Sequence, residues 1–200
     1  LRSLHQGWLT LLNQYNYSKL GLEDQIDYAL FKRTLTYKIT QLDFENTRNQ
    51  QALELLPGIA PLIALAEQRR ALLPLQPVHS ETLLTSAAEL LKNQQTALTK
   101  QNSASPIVAL RASKLLNAFR GNLKDWNTFY NGYSPAYTKH DAKAYEALDT
   151  QMESYGKFLR DTIAGASNPE TIIGDPVGRD AIEAALRLEM IPYSPEQIVQ

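Results

Sequence analysis

The sequence predicts an all-α protein, a multi-helix bundle of about seven to eight helices. Apolar residues recur at spacings of three and four over most of the chain. Four Ser-Pro or Asp-Pro pairs, at residues 105, 134, 175 and 194, place a capping side chain directly before a proline. This order is typical of a helix start, because proline at the first helical position has no amide hydrogen to leave unpaired. No stretch of the chain reads convincingly as a strand.

The first four helices are separated by glycine and proline. Gly21 and Pro57-Gly58 end the first two, and the proline-flanked connector at 74–77 follows the third. We expect these helices at about 4–20, 22–56 and 59–73, with a fourth that begins at Ser80.

The remaining helices begin at the four proline pairs. In the sixth helix, which opens at Ser134-Pro135, five apolar residues step by three and four and form a seam. Such a seam predicts lengthwise packing on a near-antiparallel partner helix. The seam consists of Tyr145, Leu148, Met152, Tyr155 and Leu159.

A capping box predicts the last helix. Ser194 caps it, Pro195 occupies its first position, and Gln197 follows three residues after the cap. The chain ends within the first turn of this helix, at Gln200, and begins at Leu1 in an amphipathic pattern. We therefore expect 1–200 to be a single helical domain or the N-terminal helical region of a longer chain, with the helix from Ser194 truncated.

Composition argues against several classes of function. The formal net charge is −1, and no basic block alternates with aromatic residues, so we expect no nucleic-acid partner. No apolar run approaches the roughly 20 residues that span a bilayer, so we expect no transmembrane segment. The chain has no cysteine, and its three histidines lack the spacing of metal ligands. We therefore expect neither a catalytic residue nor a metal ligand in this chain.

A polar belt inside the second helix suggests one candidate cleft. Residues 46–51 read Asn-Thr-Arg-Asn-Gln-Gln, and Asn and Thr are mediocre helix formers. If this belt continues the apolar stripe of the helix, its amides point into the interior or into a cleft. One hypothesis is that Arg48 and Asn49 line that cleft; the favoured alternative is a solvated helix face.

An aromatic segment at the end of the fifth helix suggests a second candidate. Trp126, Tyr130, Tyr133 and Tyr137 have polar tips and could form a ligand-binding wall. The competing interpretation, which we favour, is that Trp126 and Tyr130 close the core beside a turn. A third candidate is Arg179, because Gly174–Arg179 lies at a helix start that could hold an anion. There the favoured alternative is that Asp175 itself caps the helix.

Four phrases of the sequence resemble a bacterial family catalogued as domain of unknown function 885. The most specific is TIIGDPVGRDAIEAALRLEMIPYSPEQI at 171–198, and the others lie at 24–49, 125–135 and 145–163. The resemblance implies a longer, mostly helical protein that is similar to zincin metallopeptidases and commonly exported, either periplasmic or lipid-anchored. The zinc motif of that family lies downstream of the matched region, so no ligand is carried over to this chain.

The resemblance leads us to expect the N-terminal helical region of a zinc-dependent peptidase-like hydrolase. This region would shape the substrate cleft, and zinc would be a cofactor of the full-length parent only. Its partners would be the remainder of the parent chain and a peptide substrate, with self-association through exposed apolar surface. The alternatives are a non-catalytic helical module that binds a peptide or protein, and a parent that kept the fold and lost the metal.

Overall fold

A computed structural model describes residues 1–101, 104–168 and 170–199. Within these residues all regular structure is helical, which confirms the all-α prediction. Gln200, where the predicted last helix stops, lies outside the described residues. The described residues contain nine α-helices: α1 Arg2–Leu12, α2 Leu22–Leu53, α3 Ile59–Arg70, α4 Pro77–Lys100, α5 Pro106–Asn131, α6 Pro135–His140, α7 Ala142–Phe158, α8 Arg179–Leu188 and α9 Pro195–Val199. A 3₁₀ turn at Tyr17–Lys19 and a π-helical turn at Leu159–Ile163 complete the regular structure.

The helices form two compact units. The first unit comprises Leu1–Arg48 and Asp175–Gln200, and the second comprises Asn49–Gly174. Helix α2 contributes residues to both. That 1–200 is one helical domain, or the N-terminal region of a longer chain, stays a prediction. No described helix is long and apolar enough to cross a membrane.

The second unit has the larger core, and α7 lies at its centre, packed against α4 and α5. All five residues of the predicted seam are buried, from Tyr145 to Leu159. Their partners include Leu84 and Leu91 on α4 and leucines on α5. Because each fully buried leucine contributes about 1.5–3 kcal/mol, this seam is a main source of the unit's stability.

Two features hold the segment after α2 against this core. The hydroxyl of Tyr155 donates a hydrogen bond to the carbonyl oxygen of Leu55, over an O···O distance of 2.6 Å. Gly58 has a φ of +83°, and a Cβ at this position would lie 3.0 Å from the Cα of Ala87. Glycine is therefore required twice over at residue 58, for its left-handed backbone and for the close approach of α4.

The first unit consists of α1, most of α2, α8 and α9. Among its described hydrophobic side chains only Leu35 and Ile39 are buried. Large apolar residues on α1 and on the start of α2 are exposed instead, namely Leu4, Trp8, Leu11, Leu22, Ile26, Leu30 and Phe31. We call this set the apolar face of the first unit.

Four predicted helices have different ends in the structure. The helices predicted at 22–56 and 59–73 end earlier, at Leu53 and Arg70. The predicted helix at 4–20 ends at Leu12, and a 3₁₀ turn follows in which the Asn16 side chain accepts a hydrogen bond from the Ser18 amide. Asparagine side chains compete with the helix in this way for backbone donors. The fourth helix begins at Pro77 and not at Ser80, because proline is well suited to the first helical position.

Two other predicted helices are interrupted or shifted. The sixth is divided at Asp141 into α6 and α7. The helix predicted from Asp175-Pro176 begins at Arg179, after Gly178 with a φ of +87°, so Asp175 does not cap it. By contrast, the capping box of α9 is present. The Ser194 amide donates to Gln197 Oε1 at 2.8 Å, and the Gln197 amide donates to Ser194 Oγ at 3.3 Å.

Candidate functional site

Helices α2 and α8 of the first unit border a cavity of about 430 Å³, which we call the α2–α8 cavity. Its lining residues repeat at helical spacing on both walls, so each helix presents one stripe to the cavity. The α2 wall consists of Arg33, Thr36, Tyr37, Thr40 and Phe44, and the α8 wall of Asp180, Glu183, Ala184, Arg187 and Leu188.

Most charges on the α8 wall are neutralised by neighbours on the same helix. Glu183 accepts hydrogen bonds from Arg179 Nε at 2.7 Å and from Arg187 Nη2 at 2.9 Å. The hydrogen bond from Arg179 is the main cause that lowers the pKa of Glu183 below its usual value, with the charges of both arginines contributing. Glu183 and Arg187 are therefore already paired with each other, whereas Asp180 forms no ion pair with any described residue.

Arg33, on the opposite α2 wall, differs in its pairing from Glu183 and Arg187. Within the part of the chain that the structure describes, its guanidinium forms no hydrogen bond or ion pair. Its Nε is also shielded from solvent. A shielded donor without an acceptor is unfavourable by about 1–3 kcal/mol. Because that Nε is closed to solvent, a carboxylate in the cavity would bind the terminal Nη atoms of the guanidinium.

The predicted cleft residue Arg48 lies beside a neighbouring cavity of about 210 Å³ in the same unit. Its guanidinium forms an ion pair with the carboxylate of Asp175, and its Nη2 donates to the Asp175 carbonyl oxygen at 3.4 Å. Arg48 thus holds the segment before α8 against α2. Asn49 is partly buried and belongs to the second unit. That these two residues line a substrate cleft stays a prediction.

Arg179 connects two helices of the first unit. Besides its contact with Glu183 on α8, its Nη1 donates to Glu196 Oε1 on α9 at 2.7 Å. The guanidinium is therefore engaged by two carboxylates, although the side chain remains well exposed. Its suggested role in anion binding stays a prediction.

Three of the four predicted aromatic residues cluster in the core of the second unit. The rings of Trp126 and Tyr130 are 5.3 Å apart, Trp126 and Tyr137 are 5.3 Å apart, and Tyr130 stacks on Tyr137 at 5.9 Å. The Tyr137 hydroxyl donates to Asn127 Oδ1 at 2.6 Å. Tyr133 lies outside the cluster and is 78% exposed.

The same cluster borders a surface cavity of about 470 Å³. Trp126 forms part of its wall, and the guanidinium of Arg69 lies 4.6 Å above the Phe129 ring. The indole Nε1 of Trp126 is buried and has no hydrogen-bond partner among the described residues. The cluster thus packs the core and also reaches a concave surface, and its ligand-binding role stays a prediction.

Sequence reasoning missed a buried polar pair in the second unit. The Ser80 hydroxyl donates to the carboxyl of Asp141, and both side chains are fully buried. Burial raises the pKa of Asp141 above its usual value, and the hydrogen bond from Ser80 opposes that rise. Nearby, His140 Nδ1 lies 3.6 Å from Glu81 Oε2. No local signal marks this pair, because its members are far apart in the chain.

The described residues do not fit a zinc site on their own. Nowhere in the described ranges do three histidine, aspartate or glutamate side chains lie close enough to hold one metal ion. A structural zinc site uses four protein ligands and a catalytic site three. A zinc ion that acts with this chain would therefore need ligands from elsewhere.

Comparisons with known proteins return no match. No family model matches the chain, and no curated protein or solved structure is significantly similar to it. The resemblance to domain-of-unknown-function family 885 therefore stays a prediction that rests on the phrase at 171–198 and its three upstream companions.

Proposed function

We propose that this chain is the N-terminal helical region of a zinc-dependent peptidase-like hydrolase. In this role it forms one side of the substrate cleft and packs against the metal-bearing remainder of the parent chain. The ordered phrases at 24–49, 125–135, 145–163 and 171–198 support the family assignment. Because the described residues do not fit a zinc site, the proposal gives this chain no metal ligand and no catalytic residue.

The apolar face of the first unit is the observation that carries the proposal. Trp8 is 50% exposed, and Ile26 and Phe31 are exposed to a similar degree. Its side chains on α1 and α2 meet at Trp8 and Phe31, whose ring centroids are 6.5 Å apart. A large exposed apolar patch is uncommon on a soluble monomer and marks an interaction surface. A remainder of the parent chain packed on this face would remove it from water, at about 25 cal/mol per Å² of apolar area.

The first test is to measure zinc and peptide hydrolysis in the full-length gene product. Elemental analysis should find stoichiometric zinc, and a chelator should abolish cleavage of a fluorogenic peptide library. A metal-free full-length product without hydrolytic activity would refute the proposal.

Trp8 offers a second test of the apolar face. The chain has two tryptophans, and Trp126 is buried, so a Trp126→Phe variant leaves Trp8 as the single reporter. We expect acrylamide to quench Trp8 readily in the 200-residue chain and poorly after the remainder of the parent is added. Equal quenching in both samples would contradict packing on this face. A Trp8→Phe variant, which reports buried Trp126, is the matched control.

A helical module that binds a peptide or protein without catalysis is the second candidate. A groove of about 500 Å³ on the first unit favours it, because Trp8, Leu11, Leu12, Tyr15 and Phe31 line that groove. An amphipathic helix could lay its apolar side there. The zinc measurement distinguishes the candidates, since a binding module needs no metal.

A further inference from the structure

Among the described residues that line it, the α2–α8 cavity combines one unneutralised cation with hydrogen-bond acceptors and apolar side chains. The cation is Arg33, whose Nε is shielded and unpaired among the described residues. Thr36 Oγ1 donates to the Lys32 carbonyl at 2.8 Å, and Thr40 Oγ1 donates to the Thr36 carbonyl at 3.0 Å. Both hydroxyl protons are thereby committed to α2, and the hydroxyl oxygens remain as acceptors.

The remaining wall adds apolar contact and one negative charge. Tyr37, Phe44 and Leu188 supply ring and aliphatic surface. Glu183 is paired with two arginines, whereas Asp180 on the α8 side forms no ion pair with any described residue. Asp180 repels any anion in the cavity, so a bound carboxylate has to lie closer to Arg33, where the attraction exceeds the repulsion. One guanidinium offers one planar fork, which fits a single carboxylate.

We propose that the α2–α8 cavity binds a single carboxylate carried on an apolar body, held by the guanidinium of Arg33. The planar guanidinium matches a carboxylate with two parallel hydrogen bonds. An amide N–H next to the carboxylate donates to the oxygen of Thr36 or Thr40, and the apolar body contacts Phe44 and Leu188. The cavity volume of about 430 Å³ lies in the range of small-ligand sites.

Two sources share this chemistry, namely the carboxy-terminal residue of a peptide and a free small carboxylic acid. The hydroxyl oxygens of Thr36 and Thr40 can distinguish these two ligands. Only the peptide has an amide N–H beside its carboxylate that could donate to them. Binding needs no metal, so this proposal stands or falls separately from the zinc-hydrolase proposal.

The test is isothermal titration of the 200-residue chain with four probes: N-acetylphenylalanine, its carboxamide, 3-phenylpropionate and inorganic phosphate. We expect N-acetylphenylalanine to bind at least about tenfold more tightly than its carboxamide, because charge-assisted hydrogen bonds contribute about 1.5–3 kcal/mol. Phosphate should bind more weakly still. Preference for N-acetylphenylalanine over 3-phenylpropionate identifies a peptide carboxy terminus, and equal binding identifies a free acid.

Variants test the role of each charge. Arg33→Gln should weaken binding of N-acetylphenylalanine about tenfold or more, since it removes a charge-assisted pair. Asp180→Asn should strengthen binding, because it removes the opposing charge. Arg70→Gln is the matched control: Arg70 is highly exposed, pairs with Glu67 outside the cavity, and should leave binding unchanged.

Three results would overturn the proposal. They are equal binding of the acid and its carboxamide, unchanged binding to Arg33→Gln, and no binding of any carboxylate at millimolar concentration. Circular dichroism checks that Arg33→Gln is folded. If that variant unfolds, Arg33→Lys gives the same test, because lysine keeps the charge and loses the planar fork, and roughly threefold weaker binding is expected.

Discussion

Replacing Tyr155 by phenylalanine should destabilise the second unit through a single hydrogen bond. The Tyr155 side chain is fully buried on α7, and its hydroxyl donates to the Leu55 carbonyl at 2.6 Å. Phenylalanine fills the same space without the hydroxyl, so packing is kept and the carbonyl loses its donor. Helix α2 ends at Leu53, and the carbonyl of Leu55 therefore has no helical partner to replace it.

The expected loss follows from the cost of a partly buried carbonyl that loses its hydrogen-bond donor. That cost is about 1–3 kcal/mol, which lowers the melting temperature by roughly 4–12 °C for a unit of this size. Urea unfolding followed by circular dichroism at 222 nm should show a lower midpoint with an unchanged slope. Tyr133→Phe is the matched control, because Tyr133 is 78% exposed. Equal midpoints for Tyr155→Phe and Tyr133→Phe would refute the reasoning.

Further predictions concern glycine, pH and local stability. Gly58→Ala should destabilise by at least about 1 kcal/mol because of its left-handed backbone, whereas Gly121→Ala, on open surface of α5, should stabilise by about 0.5–1 kcal/mol in the same urea assay. The raised pKa of Asp141 means that the folded carboxyl keeps its proton after the unfolded chain has released it, so stability falls as pH rises through that pKa. Asp141→Asn should remove this fall from the pH profile of the urea midpoint, whereas Asp27→Asn, at an exposed residue, should retain it. Hydrogen exchange measured by mass spectrometry should be faster in α1 than in α7, because α1 has no buried residue; equal protection would contradict this.

Local signals explain which parts of the fold could be predicted. Helices α5, α6 and α9 begin at the prolines of three Ser-Pro pairs, and the α7 seam is buried as its spacing predicts. These features depend on residues a few positions apart, so they can be recognised in the sequence alone. Asp175-Pro176 has the same local pattern and yet does not begin a helix. There the carboxylate binds Arg48 instead, which is a tertiary contact that overrides a cap.

The breaks between helices depend on distant residues and could not be predicted. Asp141 divides α6 from α7 and is buried against Ser80, which lies on α4. The sequence shows only a histidine followed by an aspartate at this point. Likewise, the interpretation that Trp126 and Tyr130 close the core beside a turn required only their place at the end of the fifth helix. The contact of Tyr137 with Trp126 depends on the turn that precedes α6.

The α2–α8 cavity shows why a binding residue was the hardest feature to predict. The first unit contains five arginines, and the sequence gives no reason to prefer one of them. In the structure four are bound to carboxylates, namely Arg2 to Asp43, Arg48 to Asp175, Arg179 to Glu183 and Glu196, and Arg187 to Glu183. Arg33 has no such partner in the part of the chain that the structure describes, although Asp180 lines the same cavity. Because the neighbouring arginines show that this unit supplies carboxylates where it needs them, the missing carboxylate beside Arg33 is best explained by a ligand that brings its own.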